Sequence, residues 1–384
     1  MIEVKLYDLI VNSATRGLEL QYKNGSFPKG KNGPWKDNDT YMRTTAHWAQ
    51  LLYKAYLITT EDKYLRGALR ACNYLIDDEN RPNNFTFLCR ISDTKDNCNG
   101  LIGQAWTLEP LIQIGIKEKK DEYINISKNL LERIPFNKEQ YLWETIDVDD
   151  TNRGCHRTIN QQLWISVMSL ILGDYLKDDT LINNSTNFFL GLSRNIEWLE
   201  YEGLIKHTTN KRDNFLKNII KKAVLKEKVK ASTKEMQVLS NGYLSFILHG
   251  FALAYDYCSE YSFWQDASLY NIIKQAYNFL DNRFPFGYLE SDKGFRWAYN
   301  PVGIEMAYAT QVFDKYISIK DTSEKTEKWL SLQISGYYDF NNNLMNRNTI
   351  DQNILSSRLY ESINLKNIEI KPEYWSAKLE NNYE

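Results

Sequence analysis

Residues Arg157–Gly173 read RTINQQLWISVMSLILG, and from Asp178 the chain continues DDTLINNSTNFFLGL. Wound at about 100° per residue, Arg157, Asn160, Gln161, Trp164 and Met168 share one arc, with Ile159, Leu163, Ser166, Val167 and Leu170 opposite. The first helix of this couplet thus has an apolar back and a front of uncharged hydrogen-bonding groups, one guanidinium and one indole. A front turned to bulk water would carry Lys and Glu instead. The segment reads as a helix enclosed on both sides, lining a polar cavity and covered by the more polar helix that follows.

The couplet recurs along the chain. MRTTAHWAQLLYKAYLI, near 41–58, precedes EDKYLRGALRACNYLID; NGLIGQAWTLEPLIQIG, from Asn99, precedes KEKKDEYINISKNLLERI. SNGYLSFILHGFALAYDY, from Ser240, precedes WQDASLYNIIKQAYNFLD; NPVGIEMAYATQVFDKY, from Asn300, precedes DTSEKTEKWLSLQIS. The first three starts, at 41, 99 and 157, are 58 residues apart, and the later ones follow at 240, 300 and about 350. A helix over 3–21 has no leader and one near 350–363 has no follower, so six couplets result if the two complete each other. That arithmetic predicts an all-α, closed (α/α)6 barrel of six helical hairpins, one domain over 1–384, with the N-terminal helix closing the ring against the last. An open solenoid has similar periodicity, but the complementary orphan helices favour the ring.

Loop lengths place the site. Connections within couplets are short, whereas 78–98, 135–156, 193–239, 282–299 and 337–349 are long and gather where the inner helices begin. Unpaired N–H groups at those helix starts favour an anionic or oxygen-rich ligand. One loop carries a basic, helix-forming insertion at about 205–235, readable as a lid, a polyanion contact or a solvated surface helix.

Composition narrows the function. The net charge of −2 gives no basis for nucleic-acid binding. The five cysteines (Cys72, Cys89, Cys98, Cys155, Cys258) are dispersed, with no metal-ligand spacing, so neither a metal nor a cofactor is expected and the thiols read as free in a cytoplasmic protein. The N-terminus has no apolar signal-type core, and no run is long enough to span a membrane. Aromatic content of 14%, with 10 Trp and 26 Tyr, suits either a saccharide platform or a large aromatic core.

Candidate chemistry follows from the inner stripes. Arg43 and His47 lie on the first inner helix, Tyr243 and His249 on the fourth, and Glu305 on the fifth. His47 and His249 sit among apolar neighbours and read equally well as core histidines. His156, between Arg153 and Arg157 at a loop-to-helix junction, is the stronger candidate. Trp35, Trp143, Trp198, Trp297 and Tyr299 form an aromatic rim that either stacks sugars or packs loops onto the barrel. Gln161 and Trp164 join Arg157 and Asn160 on the front of the third inner helix.

The whole-chain pattern resembles the six-hairpin superfamily of carbohydrate-active enzymes: unsaturated glucuronyl hydrolases, N-acylglucosamine 2-epimerases and the helical domains of heparinase-type lyases. That resemblance implies a saccharide substrate and lyase, hydrolase or epimerase chemistry. The hydrolases' Asp in a DxxW-type helix has no match here, and of the epimerases' histidine pair only His249 has a counterpart. Elimination beside a uronate needs a carboxylate neutraliser, a base and an acid. Arg157, Asn160 and Gln161 could neutralise, His156 or His249 act as base, and Tyr243 or Tyr299 as acid. A narrower stretch, Asp147-Val148-Asp149-Asp150-Thr151, resembles the DxDDT acid motif of class II terpene cyclases, which implies Asp149 as a protonating acid. A glycan binder without turnover is the third reading.

Overall fold

The computed structural model describes residues 3–199, 203–210, 226–283 and 299–373. Its helices are α1 (Leu6–Leu20), α2 (Met42–Thr59), α3 (Asp62–Ile76), α4 (Gly100–Lys117), α5 (Asp121–Arg133) and α6 (Ile159–Leu176). They continue with α7 (Asp179–Asn195), α8 (Lys226–Cys258), α9 (Ala267–Arg283), α10 (Val302–Phe313), α11 (Thr322–Tyr337) and the short α12 (Gln352–Ser357), which runs on as a 3-10 turn over Arg358–Ser362. Helices α2, α4, α6, α8 and α10 touch in that order, and α12 with its turn joins α10 back to α2. The inner ring is therefore closed. Helices α3, α5, α7, α9 and α11 each cover the inner helix before them, and α1 covers α2. The chain is an all-α (α/α)6 barrel.

Burial separates the rings as their sequences do. Helix α4 buries fifteen of its eighteen residues and α6 fourteen of eighteen, whereas α3 buries seven of fifteen and α5 five of thirteen. A helix packed against neighbours on both sides must be apolar nearly all round; one wetted on its outer side needs only a stripe. In α3 that stripe is Tyr64, Gly67, Ala68, Ala71, Cys72 and Leu75.

Closure rests on the chain ends. Strand β1 (Val4–Lys5) pairs antiparallel with a C-terminal strand (Glu369–Ile370), Val4 opposite Ile370. The Leu6 N–H donates to Ile368 O (2.9 Å), and Ser13 Oγ donates to Asn343 O (2.8 Å). The first helix thus meets the C-terminal segment, as a ring requires.

Two features depart from expectation. The segment before α6, expected as the long loop 135–156, forms a small sheet of β2 (Phe136–Asn137), β3 (Leu142–Ile146) and β4 (Asn152–Cys155). Asp147–Thr151 forms its turn: the Asp147 N–H donates to Thr151 O (2.9 Å), and Asp150 takes a left-handed φ of 66°. The fourth inner helix also begins earlier than Ser240, at Lys226. Of the basic insertion expected at about 205–235, residues 211–225 lie outside the described residues, as does Trp297, and 226–235 belong to α8.

Candidate active site at the barrel mouth

The site is assembled at the N-terminal ends of the inner helices. β4 delivers His156 to the start of α6, where its N–H donates to Trp143 O (3.2 Å) and its carbonyl accepts from Gln162 Nε2 (2.9 Å). The imidazole Nδ1 accepts from the Thr158 N–H (3.3 Å), so in the neutral ring the proton sits on Nε2. Burial lowers its pKa to about 4 despite the nearby Asp96 carboxylate, so the ring is neutral at pH 7. Gly100 opens α4 at φ +58°; a Cβ there would lie 2.2 Å from Gln161 Oε1 and 2.9 Å from His156 Nε2. Only glycine lets α4 approach these two side chains so closely.

Residues 203–210 lie along the same helix start. The Ile159 N–H donates to His207 O (3.0 Å) and the Thr209 N–H to Arg157 O (2.8 Å). This places the His207 ring against Tyr243, centroids 4.6 Å apart and nearly parallel. Burial lowers the His207 pKa to about 4 as well, with a further contribution from His156. Tyr243, raised well above the usual phenol by burial, stays protonated and accepts from Trp35 Nε1 (3.0 Å).

The opposite wall is keyed by Asn32. Its Oδ1 accepts from Arg43 Nη2 (2.7 Å) and Tyr299 OH (2.7 Å), while its Nδ2 donates to Asp37 Oδ2 (2.8 Å). Asp351 ties this loop to α12, its Oδ2 accepting from the Lys31 N–H (2.7 Å) and Gly33 N–H (2.9 Å). Arg43 lies over the Trp106 ring at 4.3 Å. At the rim, Asp37 binds Lys95 (2.6 Å) and Arg90 (3.2 Å). Burial alone would push the Asp37 carboxyl up, but Lys95, Asn32 and Arg90 outweigh it and hold it below the usual range. Beneath lies Arg358, bound to Glu305 Oε1 (2.9 Å), Glu361 Oε1 (2.6 Å) and Asn300.

These groups enclose a cavity of about 260 Å³. Four of its lining side chains carry a buried polar atom without a hydrogen-bond partner: Arg43 Nε, Trp106 Nε1, Asn160 Oδ1 and His207 Nδ1. Unpaired polar atoms are costly in a protein interior, and their convergence is what a hydroxylated ligand would relieve.

Of the residues expected at the site, Arg43, His156, Asn160, Gln161, Tyr243 and Tyr299 line this cavity. The others do not. Arg157 turns away to Gln140 (2.5 Å). Asp149 is exposed on the hairpin turn, capping the Thr151 N–H (3.0 Å), and the hydrogen bonds to Thr151 hold its carboxyl below the usual range. It is therefore not the desolvated, protonated acid that a cyclase needs. Trp143 is buried, donating to Ser166 Oγ (2.7 Å). Trp164 is buried against Phe246 and His249, with centroids at 4.7 and 5.8 Å. His249 lies between Trp164 and Tyr308, its pKa lowered to about 3 by burial. His47 stacks on Tyr360 at 4.3 Å and meets Ser357 Oγ (3.1 Å). Glu305 is buried, paired with Arg358 and accepting from Ser245. Each is packed below the cavity or outside it.

Sequence reasoning passed over His207, Asn32, Asp37, Arg90, Lys95, Trp106 and Arg358 as site residues. The chain has only four histidines. That scarcity, and the position of His207 in the longest loop, was the available signal. The loop residues had none, because hydrogen bonds across the fold bring them together. Among the described residues no group of three His, Cys, Asp or Glu is placed to hold a metal ion, and no helix is long and apolar enough to cross a membrane.

The closed ring of six hairpins is a fold found in solved structures. It is shared with an unsaturated glucuronyl hydrolase specific for heparin (13% identity, 98% of this chain and 97% of that one, TM-score 0.59). A D-mannose isomerase (12%, 93% and 95%, 0.62) and the α-1,6-mannanase of Salegentibacter sp. (11%, 93% and 98%, 0.57) share it too. No family profile matches the chain. Archaeal glycosylation protein Q of Haloferax volcanii is 31% identical over 377 residues, covering 95% of this chain and 98% of that protein. The chain belongs to the archaeal glycosylation protein Q family.

Proposed function

We propose that the protein is a carbohydrate-active enzyme that binds an anionic, uronate-type sugar at the barrel mouth and moves a proton at carbon, by epimerisation or β-elimination. The observation that carries this reading is the pair of part-buried, neutral imidazoles, His156 and His207, lining one cavity with Arg43 and the protonated Tyr243. Canonical glycoside hydrolysis uses two carboxyl groups facing the bond. Here Asp37 is the lone carboxylate among the described lining residues, and Lys95 and Arg90 already engage it.

In the proposed step neutral His207, through its unpaired Nδ1, takes the proton from the carbon beside the sugar carboxylate, while the Nε2–H of His156 donates to a sugar oxygen. Arg43, with its unpaired Nε, stabilises the enolate charge that develops. Tyr243 supplies a proton to the carbanion in epimerisation, or to the departing oxygen as the C–O bond breaks in elimination. Arg90 and Arg358 are saturated by their own partners and act as structure. The name of the Haloferax relative places that protein in glycosylation, and we assign this chain to the same process.

The test is incubation with uronate oligosaccharides and their neutral counterparts in D2O. Epimerisation should place deuterium at the carbon beside the carboxylate, elimination should give a product with a carbon–carbon double bond beside the carboxylate, and Arg43→Ala should weaken uronate turnover roughly a hundredfold. Hydrolysis without deuterium uptake would overturn the proton-transfer reading. Binding without any turnover would leave a glycan binder.

A further inference from the structure

A second cavity, about 440 Å³, opens at the opposite end of the barrel, where α2, α4, α6 and α8 end. Its size is within the range of about 300–1,000 Å³ usual for small-molecule sites. It shares no lining residue with the mouth. We propose that it binds a nucleoside phosphate, with the base against Gln50 and the phosphate at Lys117 and Lys54.

Gln50 is the first support. It is 2% exposed and lines the cavity; its Nε2 faces the Glu109 carboxyl and its Oε1 has no protein partner. A buried amide oxygen left unpaired is costly. The carboxamide presents one donor and one acceptor side by side, the complement of the donor–acceptor edge of a nucleobase. Gln50 precedes Leu57 on α2 by about 10 Å of helix, so the amide lies toward the floor.

The walls are the second support. Ile114, Ile171 and Ile363 line the cavity with Tyr53, Tyr175 and Tyr257, a slot of aliphatic and aromatic surface suited to a planar ring. Leu57, Tyr175 and Tyr257 remain 55%, 46% and 39% exposed, so the protein itself leaves the opening uncovered. The rim charge is the third. Lys117 is exposed on the last turn of α4, and Lys54 stands over the Tyr7 ring at 4.6 Å. The one carboxylate among the described lining residues, Asp174, is engaged by Tyr261 OH (2.8 Å) and Lys177 (3.1 Å), and the neighbouring Glu118 by Tyr53 OH (2.6 Å), so Lys117 and Lys54 are the groups that offset the helix C-termini and meet a phosphate. A hydrocarbon ligand would leave Gln50 Oε1 unpaired, and a neutral saccharide would use neither the isoleucine walls nor the lysines.

The experiment is calorimetric titration of the full chain with AMP, UMP, CMP and GMP, and with the matching nucleosides and inorganic phosphate. At least one monophosphate should bind with a Kd at or below about 1 mM. Gln50→Leu, close in volume, should weaken it roughly tenfold, and Lys117→Glu should weaken the nucleotide a few-fold without affecting the nucleoside. If Gln50→Leu does not fold, the Lys117→Glu contrast, at an exposed position, carries the test. Arg43→Ala, at the mouth, should change nothing. Absence of binding by all four nucleotides, equal binding by wild type and Gln50→Leu, or loss of binding in Arg43→Ala would each overturn the proposal. None of these results depends on turnover of a sugar, so the two readings fail separately.

Discussion

His156 and His207 differ from His47 and His249 in what surrounds them, not in their protonation. All four are pushed below the ordinary histidine pKa, chiefly by burial. The first two face a cavity, whereas the other two are packed among aromatic rings. Replacing His156 or His207 with Ala should therefore lower kcat by about a hundredfold or more in the proton-transfer assay. A base whose pKa is about 4 loses activity only as pH falls through that value, so the acid limb of kcat/KM should lie near 4 rather than near 6.5. An acid limb near 6.5 would remove His207 as the base. Arg157→Ala and Asp149→Asn, by contrast, should leave turnover within about threefold of wild type, because one side chain pairs with Gln140 and the other sits on an exposed turn. Kinetics of those two variants on the same uronate panel checks the assignment.

The elements that carry the site are held by polar anchors that no periodicity marks. Asp147, within the acidic cluster, is such an anchor. Its Oδ1 accepts from the N–H groups of Asn97 (2.9 Å), Cys98 (3.1 Å) and Val148 (2.9 Å), and its Oδ2 pairs with Arg153 (2.7 Å). The cluster therefore stitches the β3–β4 hairpin to the loop before α4, fixing His156 relative to Asn99 and Gly100. Asp147→Ala should cost on the order of 3 kcal/mol, since three N–H groups lose their acceptor. Denaturant unfolding measures that loss, and a loss under 1 kcal/mol would mean that the hairpin holds without it. The couplets themselves were legible because an inner helix, enclosed on both sides, loses its Lys and Glu while its follower keeps them. The sheet between α5 and α6 was not legible: its strands are short, and acidic residues before a helix look the same whether they form a cap or a hairpin turn.

At the scale of the whole molecule, histidine burial links pH to stability. His249 is neutral in the folded chain down to about pH 3, whereas in the unfolded chain it protonates near 6.5. Between those values the unfolded state binds more protons, so the His249 contribution to stability is lost as pH falls from about 6.5 toward 3. Relative to His249→Phe, the wild type should lose on the order of 3 kcal/mol across that window, read as diverging melting curves; parallel curves would mean that the ring is solvated. The sequence by itself determined the number of hairpins, the alternation of inner and outer helices, closure through the two orphan helices and the end at which the long loops gather. These follow from hydrophobic period and chain length, which are local and additive. Only the tertiary structure decided which polar residues share the cavity. Asn32, Arg43, His156, His207 and Tyr299 are brought together by hydrogen bonds and stacking between segments up to 267 residues apart, and Trp143, Trp164, His249 and Glu305 are buried by the same packing. A helical wheel shows which face a side chain takes; whether that face meets the cavity or a neighbouring helix depends on the angle at which the helices cross, and no short stretch of sequence contains that angle.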